Sequence, residues 1–361
     1  MARDTLVSTA ICFVITFSVA FVSALILTPL ASGLARRLGV AAIPGGRRHH
    51  NRPVPKLGSI ALYLAFMAAV VVAQFLPVER FDSKEVIRLF GLVLGGTVLF
   101  VAGLIDDVRE LGAIPQFLAQ IAACGIAMSC LIIIEYVNNP FTGQWTPQFP
   151  LWLTLLLTTF WLMGMTNTVN WLDGLDGLAA GVTAIMAAVL FINAAFRLDP
   201  SQTSVSLLPL ALLGAVLGFL PYNFHPARVF IGGGAPWLGF TLGALAIIGG
   251  AKVAAVLLAM GAPILDVAWQ IVRRLRSGRN PTKGDRGHLH YRLLDMGISH
   301  RTIVLVYYAF CAFFGALTLV VSSRLFKLVT FGVMAMIVMG AMAWLSRPQA
   351  HISKKQSEKS D

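Results

Sequence analysis

The chain has 361 residues, of which 57% are hydrophobic and only 12% charged, a balance far more apolar than that of a soluble domain. A formal net charge of +12 could suit a nucleic-acid binder, but the basic residues lie beside apolar runs rather than along an aromatic-lined groove, so no nucleic acid is expected as a partner. Cys12, Cys124, Cys130 and Cys311 lie in or beside apolar segments without paired spacing, which speaks for neither a zinc site nor a disulfide framework and leaves packing as their role.

Apolar runs able to cross the roughly 30 Å hydrocarbon layer, about 20 residues of helix each, recur from end to end. In chain order they are predicted to start near residues 8, 57, 87, 113, 150, 175, 204, 235, 252, 302 and 324. The first, from about Ser8 to Leu30, is too long for a signal-peptide core and lacks a basic region before it, so it is expected to be a retained helix. The predicted fold is an all-α polytopic membrane protein of about eleven transmembrane helices, or ten if the spans meeting around Gly249 to Lys252 fuse. It forms a single domain over residues 1–346, followed by a basic tail over 347–361 that is expected to be disordered and cytoplasmic.

With eleven spans the termini lie on opposite sides, and the loops divide into two sets. One set holds Arg36, Arg37, Arg47, Arg48, Arg52, Lys56, Arg109 and Arg228, then Arg273, Arg274, Arg276, Arg279, Lys283, Arg286, Arg292 and Arg301, and finally Arg347, Lys354, Lys355 and Lys359. Twenty of the 28 basic residues therefore share one side, which the positive-inside rule makes cytoplasmic. The N-terminus is then outside and the C-terminus cytoplasmic; fusing the two spans at Gly249 would destroy this asymmetry.

Four polar constellations interrupt the apolar pattern, and all fall on the cytoplasmic side. Asp106 and Asp107 close the third span. Alone they read as solvated loop residues, or as carboxylates held near the bilayer by a cation. Asp173 and Asp176 are three apart, so in a helical turn they would share a face; with Asn170 they offer oxygen ligands for a hard cation. Acidic capping of a helix start is the alternative, although Gly174 and Gly177 also permit close backbone approach to a ligand.

The Gly232-Gly233-Gly234 loop could cradle phosphate through its N–H groups or be a flexible turn. His288 and His290, two apart amid Lys283, Arg286 and Arg292, suit a loop or extended segment facing anionic oxygens better than zinc, for which no partner ligands are evident. A basic loop facing anionic lipid is the other reading. Asp266, ahead of Arg273 and Arg274, reads as half of a structural ion pair at the membrane surface. Carboxylates for a divalent cation beside basic and histidine groups suit transfer between a soluble phosphorylated molecule and a lipid-bound one.

At this point the residues resemble the polyprenyl-phosphate N-acetylhexosamine-1-phosphate transferases. The resemblance rests on Arg47-Arg48-His49-His50 with Pro53-Val-Pro-Lys-Leu-Gly58, Gly103-Leu-Ile-Asp-Asp107 and Asn167-Thr-Val-Asn-Trp-Leu-Asp-Gly-Leu-Asp-Gly-Leu178. It continues through Asn223-Phe-His-Pro-Ala with Val229-Phe-Ile-Gly232, and Asp285-Arg-Gly-His-Leu-His-Tyr-Arg-Leu293. It covers most of the chain and is nearer the branch handling simple UDP-N-acetylhexosamines than the muramoyl-pentapeptide branch.

The resemblance implies attack of a polyprenyl phosphate on a UDP-N-acetylhexosamine, best matched by the N-acetylglucosamine sugar, with release of UMP and Mg²⁺ as cofactor. It implies a multi-pass protein of the plasma membrane bilayer with a cytoplasmic site; a homodimer is compatible with the sequence. Asp106 and Asp107 would be catalytic and, with Asn170, hold the metal. Lys56, Asp173, Asp176, Asn223, His288, His290 and Arg292 would bind substrate.

Several positions depart from the family pattern. Gly233 stands where the family has a metal-binding aspartate, and Ala235-Pro236 replaces Gly-Ser. Gln116 stands for a lysine, and Tyr291 for a third histidine.

Overall fold

The computed structural model describes residues 2–42, 53–80, 82–139, 141–197, 202–250, 253–278, 287–321 and 323–345, with side chains from residue 8 onward. The motif residues Arg47 to Arg52, the loop residues Lys283 to Arg286, the joint residue Lys252 and the tail 347–361 lie outside the described residues.

A helix forms near each of the eleven predicted starts, although six or seven rather than eleven are long and apolar enough to span a membrane. The helices are α1 (Ala2–Arg37), α2 (Gly58–Gln74), α3 (Glu85–Arg109), α4 (Ala113–Ser129), α5 (Leu151–Leu172), α6 (Leu178–Ile192), α7 (Thr203–Asn223), α8 (Ala235–Ile248), α9 (Val253–Ala259), α10 (Gly261–Arg276), α11 (Leu289–Asp295), α12 (His300–Val320) and α13 (Arg324–Leu345). A two-residue antiparallel pair, β1 (Ala41–Ala42) with β2 (Val54–Pro55), and an isolated antiparallel bridge between Asn138 and Trp145 accompany the helices.

Six of these segments are long and apolar enough to cross a membrane: Ser8–Arg37, Glu85–Arg109, Leu178–Arg197, Thr203–Asn223, His300–Val320 and Arg324–Trp344. The protein is thus a polytopic membrane protein. Three apolar helical segments are shorter, Gly58–Gln74, Ala113–Ser129 and Gly232–Ile248. The 22-residue α5 carries buried Thr154, Thr158, Thr166 and Thr168 among its apolar residues; Thr158 and Thr166 donate to carbonyls four residues earlier at 2.7 Å, the usual way a helix satisfies hydroxyls away from water.

The expected ninth span is not one straight helix. α9 and α10 meet at Met260 with a bend of 82° and together make a seventh candidate crossing. Pro263 lies in the first turn of α10, a position that tolerates proline where a helix interior does not. The separation expected at Gly249 holds: α8 caps there, Gly250 takes φ +85°, and α9 begins at Val253.

Small residues let the helices pack closely, as expected where lipid offers no hydrophobic drive between them. A Cβ on Gly218 of α7 would come within 2.4 Å of Phe21 O on α1, and one on Gly239 of α8 within 2.4 Å of Met165 O on α5. Trp161 Nε1 on α5 donates to Gly243 O on α8 at 2.9 Å. Cys12, Cys124 and Cys311 are buried and all four thiols are free, in line with a packing role.

Candidate active site

The site is built where helix ends meet. Asp106 and Asp107 occupy the last turn of α3, whose left-handed C-cap residue is Glu110. Asp173 is the C-cap of α5. A helix C-terminus carries partial negative charge from its unpaired carbonyls, so a carboxylate at either end adds negative charge that a cation beside it would relieve. With Asn170 one turn before Asp173, the donors are hard oxygens of the kind that Mg²⁺ prefers. These residues fit a magnesium ion in chemistry, although Asp106, Asp107 and Asp173 do not form a triad with ligand atoms within 4.8 Å of one another.

Both members of the aspartate pair are oriented. The Gly233 N–H donates to Asp107 Oδ2 at 2.8 Å, and Gln116 Nε2 of α4 donates to Asp106 Oδ1 at 2.9 Å. Where the resemblance leads a lysine to be expected, Gln116 gives Asp106 a neutral donor. One turn on, Gln120 and Asn167 exchange amide hydrogen bonds of 2.8 and 3.4 Å between α4 and α5.

The segment from Asn223 to Gly234 is the hub. Gly58 and Ser59 donate through their N–H groups to Phe230 O and Ile231 O, each at 3.0 Å, and Phe230 N–H donates to Pro55 O at 2.8 Å. These bonds place the backbone of Lys56 against Gly232, whose φ is +75° and where a Cβ would fall 2.2 Å from Lys56 O. Gly233 presses on α3: a Cβ there would lie 2.1 Å from Gly103 O. The glycine loop is therefore a tightly packed brace rather than a flexible turn.

Asn223 is 2% exposed. Its Oδ1 accepts from Gly177 N–H at 3.2 Å and its Nδ2 donates to Val229 O at 3.0 Å, so both ends of the amide shape the two loops. Gly177, at φ +80°, is the N-cap of α6.

Asp173 and Asp176 do not share a helical turn. Residues 173–177 form the connection between α5 and α6, and α6 has no acidic residue in its first turn, which sets aside acidic capping. Asp176 instead faces the α7–α8 connection: its Oδ2 contacts His225 Nδ1 at 2.8 Å and accepts from Ala227 N–H at 3.0 Å.

The extended segment expected for His288 and His290 holds for His288, whose backbone is extended at φ −64° and ψ 150°, and not for His290. His288 is the N-cap of the short helix α11, and His290 lies inside it. Their rings stack at 5.6 Å, and the His288 ring lies 5.2 Å from Trp171 of α5. Asp266 of α10, 3% exposed, reaches across to α11. Its Oδ2 contacts His288 Nδ1 at 3.0 Å and its Oδ1 accepts from Leu289 N–H at 3.0 Å. The role expected for it beside Arg273 and Arg274 is thus replaced by that of fixing the histidine segment; the Arg274 guanidinium lies 5.7 Å over the Trp171 ring.

His290 is 1% exposed, and neither ring nitrogen has a hydrogen-bond partner among the described residues. Burial pushes its pKa down to about 3, against the opposing pull of Asp266 and with further lowering by His288 and His300. Gly174 lies against it: a Cβ there would meet His290 Nε2 at 2.9 Å and Tyr291 Oη at 2.4 Å. Tyr291, in place of the third histidine, donates its hydroxyl to Gly174 O at 3.3 Å. Arg292 Nε donates to Gly287 O at 2.8 Å, and Gln270 of α10 donates to the same carbonyl.

Sequence reasoning missed the partners that hold these groups: Asp266 for His288, and His225 and His300 for Asp176. His225 lies within a quoted motif, but nothing in the spacing connects it with His300, 75 residues on.

The polytopic helical bundle thus carries carboxylates at two helix C-termini, a glycine brace and a buried histidine segment. Residues 89–250 match Glycosyl transferase family 4, and the chain belongs to this family of polyprenyl-phosphate sugar-phosphate transferases. It is 30% identical over 333 residues to the probable undecaprenyl-phosphate N-acetylglucosaminyl 1-phosphate transferase of Bacillus subtilis, covering 90% of this chain and 89% of that one. It is 33% identical over 313 residues to the decaprenyl-phosphate N-acetylglucosaminephosphotransferase of Mycolicibacterium smegmatis, covering 79% and 77%. Against the phospho-N-acetylmuramoyl-pentapeptide-transferase of Desulforudis audaxviator it is 32% identical over 323 residues, covering 80% and 92%.

Proposed function

We propose that this protein transfers N-acetylglucosamine 1-phosphate from UDP-N-acetylglucosamine to a polyprenyl phosphate, releasing UMP and starting a cell-envelope glycan. An oxygen of the lipid phosphate forms a bond to the β-phosphorus, and the bond from that phosphorus to the UMP oxygen breaks. The names of the two N-acetylglucosamine-specific relatives support the choice of sugar. The observation that carries the reading is the convergence of the family motifs on the segment 223–234, through Asp107 to Gly233, Gly58 to Phe230 and Gly177 to Asn223.

Because the second pKa of a phosphate monoester lies near 6, the lipid nucleophile is already largely ionised at neutral pH. Asp106 and Asp107 then act chiefly by positioning it, as in other phosphoryl transfers. Asp106, Asp107 and Asn170 would hold Mg²⁺, which would supply neutralisation of diphosphate charge. Lys56, Asp173 and Asp176 line the nucleotide-sugar region, and Asn223 acts by holding Gly177. Arg292 contributes charge toward the diphosphate, His288 is held at the same place by Asp266, and His290 contributes as a neutral hydrogen-bonding ring. Eleven spans in the plasma membrane, with the N-terminus outside, would place this site at the cytoplasmic surface.

The test is mass spectrometry of the lipid product after incubation of the purified protein with undecaprenyl phosphate and a panel of UDP-sugars. A diphospho-N-acetylglucosamine lipid is expected; a product only with another sugar would overturn the sugar assignment. A second reading, a homologue that binds substrate without turnover, is favoured by Gly233 alone, since glycine has no carboxylate for a metal. UDP-sugar binding without any lipid product across the panel would support that reading.

A further inference from the structure

Asp176, His225 and His300 come from three separate places: the α5–α6 connection, the α7–α8 connection and the first residue of α12. Their ligand atoms nonetheless all lie within 4.8 Å of one another. His225 Nδ1 is 2.8 Å from Asp176 Oδ2, and the His300 ring stacks on the His225 ring at a centroid distance of 4.1 Å and an interplanar angle of 18°. His300 Nε2 points toward the Asp176 carbonyl at 3.4 Å. Two further bonds set the geometry: Ala227 N–H donates to Asp176 Oδ2 at 3.0 Å, orienting the carboxylate, and Arg301 Nε donates to His225 O at 3.2 Å, tying α12 to the histidine loop.

We propose that Asp176, His225 and His300 form a binding site for a zinc-class divalent transition ion, separate from the oxygen-donor region around Asp106 and Asp107. Two imidazoles and one carboxylate are a ligand set typical of zinc sites with three protein ligands and an open position, with bonds of about 2.0 to 2.2 Å. Imidazole selects such ions over Mg²⁺, which prefers oxygen donors. The three groups already lie near one another, so ligation requires the 2.8 Å contact between Asp176 and His225 to open around the ion and His300 to turn toward it, rather than assembly of the cluster. The groups are half-buried, with side-chain exposures of 34% for His225 and 17% for Asp176, so an ion can enter from solvent. A bound ion would fasten the start of α12 to both loops and draw Asp176 toward the histidines. The proposal does not depend on the transferase reading, because binding is measured without turnover.

The experiment is a Co²⁺ titration of the full-length protein in detergent, freed of any histidine tag, with Mg²⁺ in excess and the visible d–d absorption followed. The wild-type protein is expected to take up one Co²⁺ per chain, displaceable by Zn²⁺, and its melting temperature should rise with the ion, since a ligand of the folded state stabilises it. His225→Ala and His300→Ala should each weaken binding by more than about tenfold, the scale of losing even a supporting group around a metal. His300→Cys should keep binding and add a sulfur-to-cobalt charge-transfer band, which a merely structural histidine would not give. The proposal is overturned if the wild-type protein develops no d–d bands, or if they persist unchanged in both alanine variants.

Discussion

The backbone of Gly233 and the side chain of Asp107 are joined by a 2.8 Å hydrogen bond, while the same glycine lies so close to Gly103 that a Cβ would fall 2.1 Å from its carbonyl oxygen. The position at which the resemblance leads an aspartate to be expected is thus, in this chain, a backbone brace for the aspartate pair of α3. No side chain can be added at 233 without moving α3 or the loop.

It follows that Gly233→Asp does not improve the enzyme. Overpacking of a close contact costs about 1–3 kcal/mol, so Gly233→Ala and Gly233→Asp should both lower the melting temperature in detergent and reduce lipid-product formation. Higher activity in Gly233→Asp would show that the loop yields and that the brace is dispensable.

Gln116 holds Asp106 Oδ1 by one neutral hydrogen bond. Replacing it with leucine removes the donor from a carboxylate at the end of a helix. Product formation at saturating substrates is expected to fall, and the magnesium concentration for half-maximal rate to shift, with the fold retained by circular dichroism. An unchanged magnesium dependence would place Asp106 outside the metal's surroundings.

Asp266 accepts from both the His288 segment and the Leu289 N–H in a buried position. Asp266→Ala leaves those groups unpaired, at a cost of about 1–3 kcal/mol each, and frees the start of α11. Thermal melts should show a clear loss for the alanine variant and a smaller one for Asp266→Asn, which keeps an acceptor. Equal melts for both would contradict the assigned contacts.

Acid sensitivity follows from His290. Its pKa in the folded protein is pushed down to about 3 from an ordinary 6.5 by burial, opposed by Asp266 and reinforced by His288 and His300. The unfolded chain therefore binds more protons between these values, and stability rises with pH there. The contribution is complete above about pH 6.5 and is lost as the pH falls toward the folded value. Melting temperatures between pH 7 and pH 5 should fall less steeply for His290→Gln than for the wild-type protein; parallel slopes would contradict the buried neutral ring.

Much of the helical order was legible in the sequence because lipid imposes a simple length rule: α2, α4, α8 and α13 begin at or within a residue of their predicted starts at 57, 113, 235 and 324. The 82° bend at Met260 was missed because apolar length ignores direction, although the nearby Gly261 and Pro263 carried a local signal. The site was legible as motifs but not as contacts. The placement of Asp176 beside His225 and of Asp266 beside His288 depends on how loops fold back across helix ends, which no local period encodes.

The most direct test is UMP release from UDP-N-acetylglucosamine and undecaprenyl phosphate by the purified protein, with and without Mg²⁺, beside its Asp106→Ala variant. Magnesium-dependent release that is lost in the variant is the predicted result. Release that is independent of Mg²⁺, or that survives in Asp106→Ala, would contradict the assignment of the α3 aspartates as the centre of the transferase site.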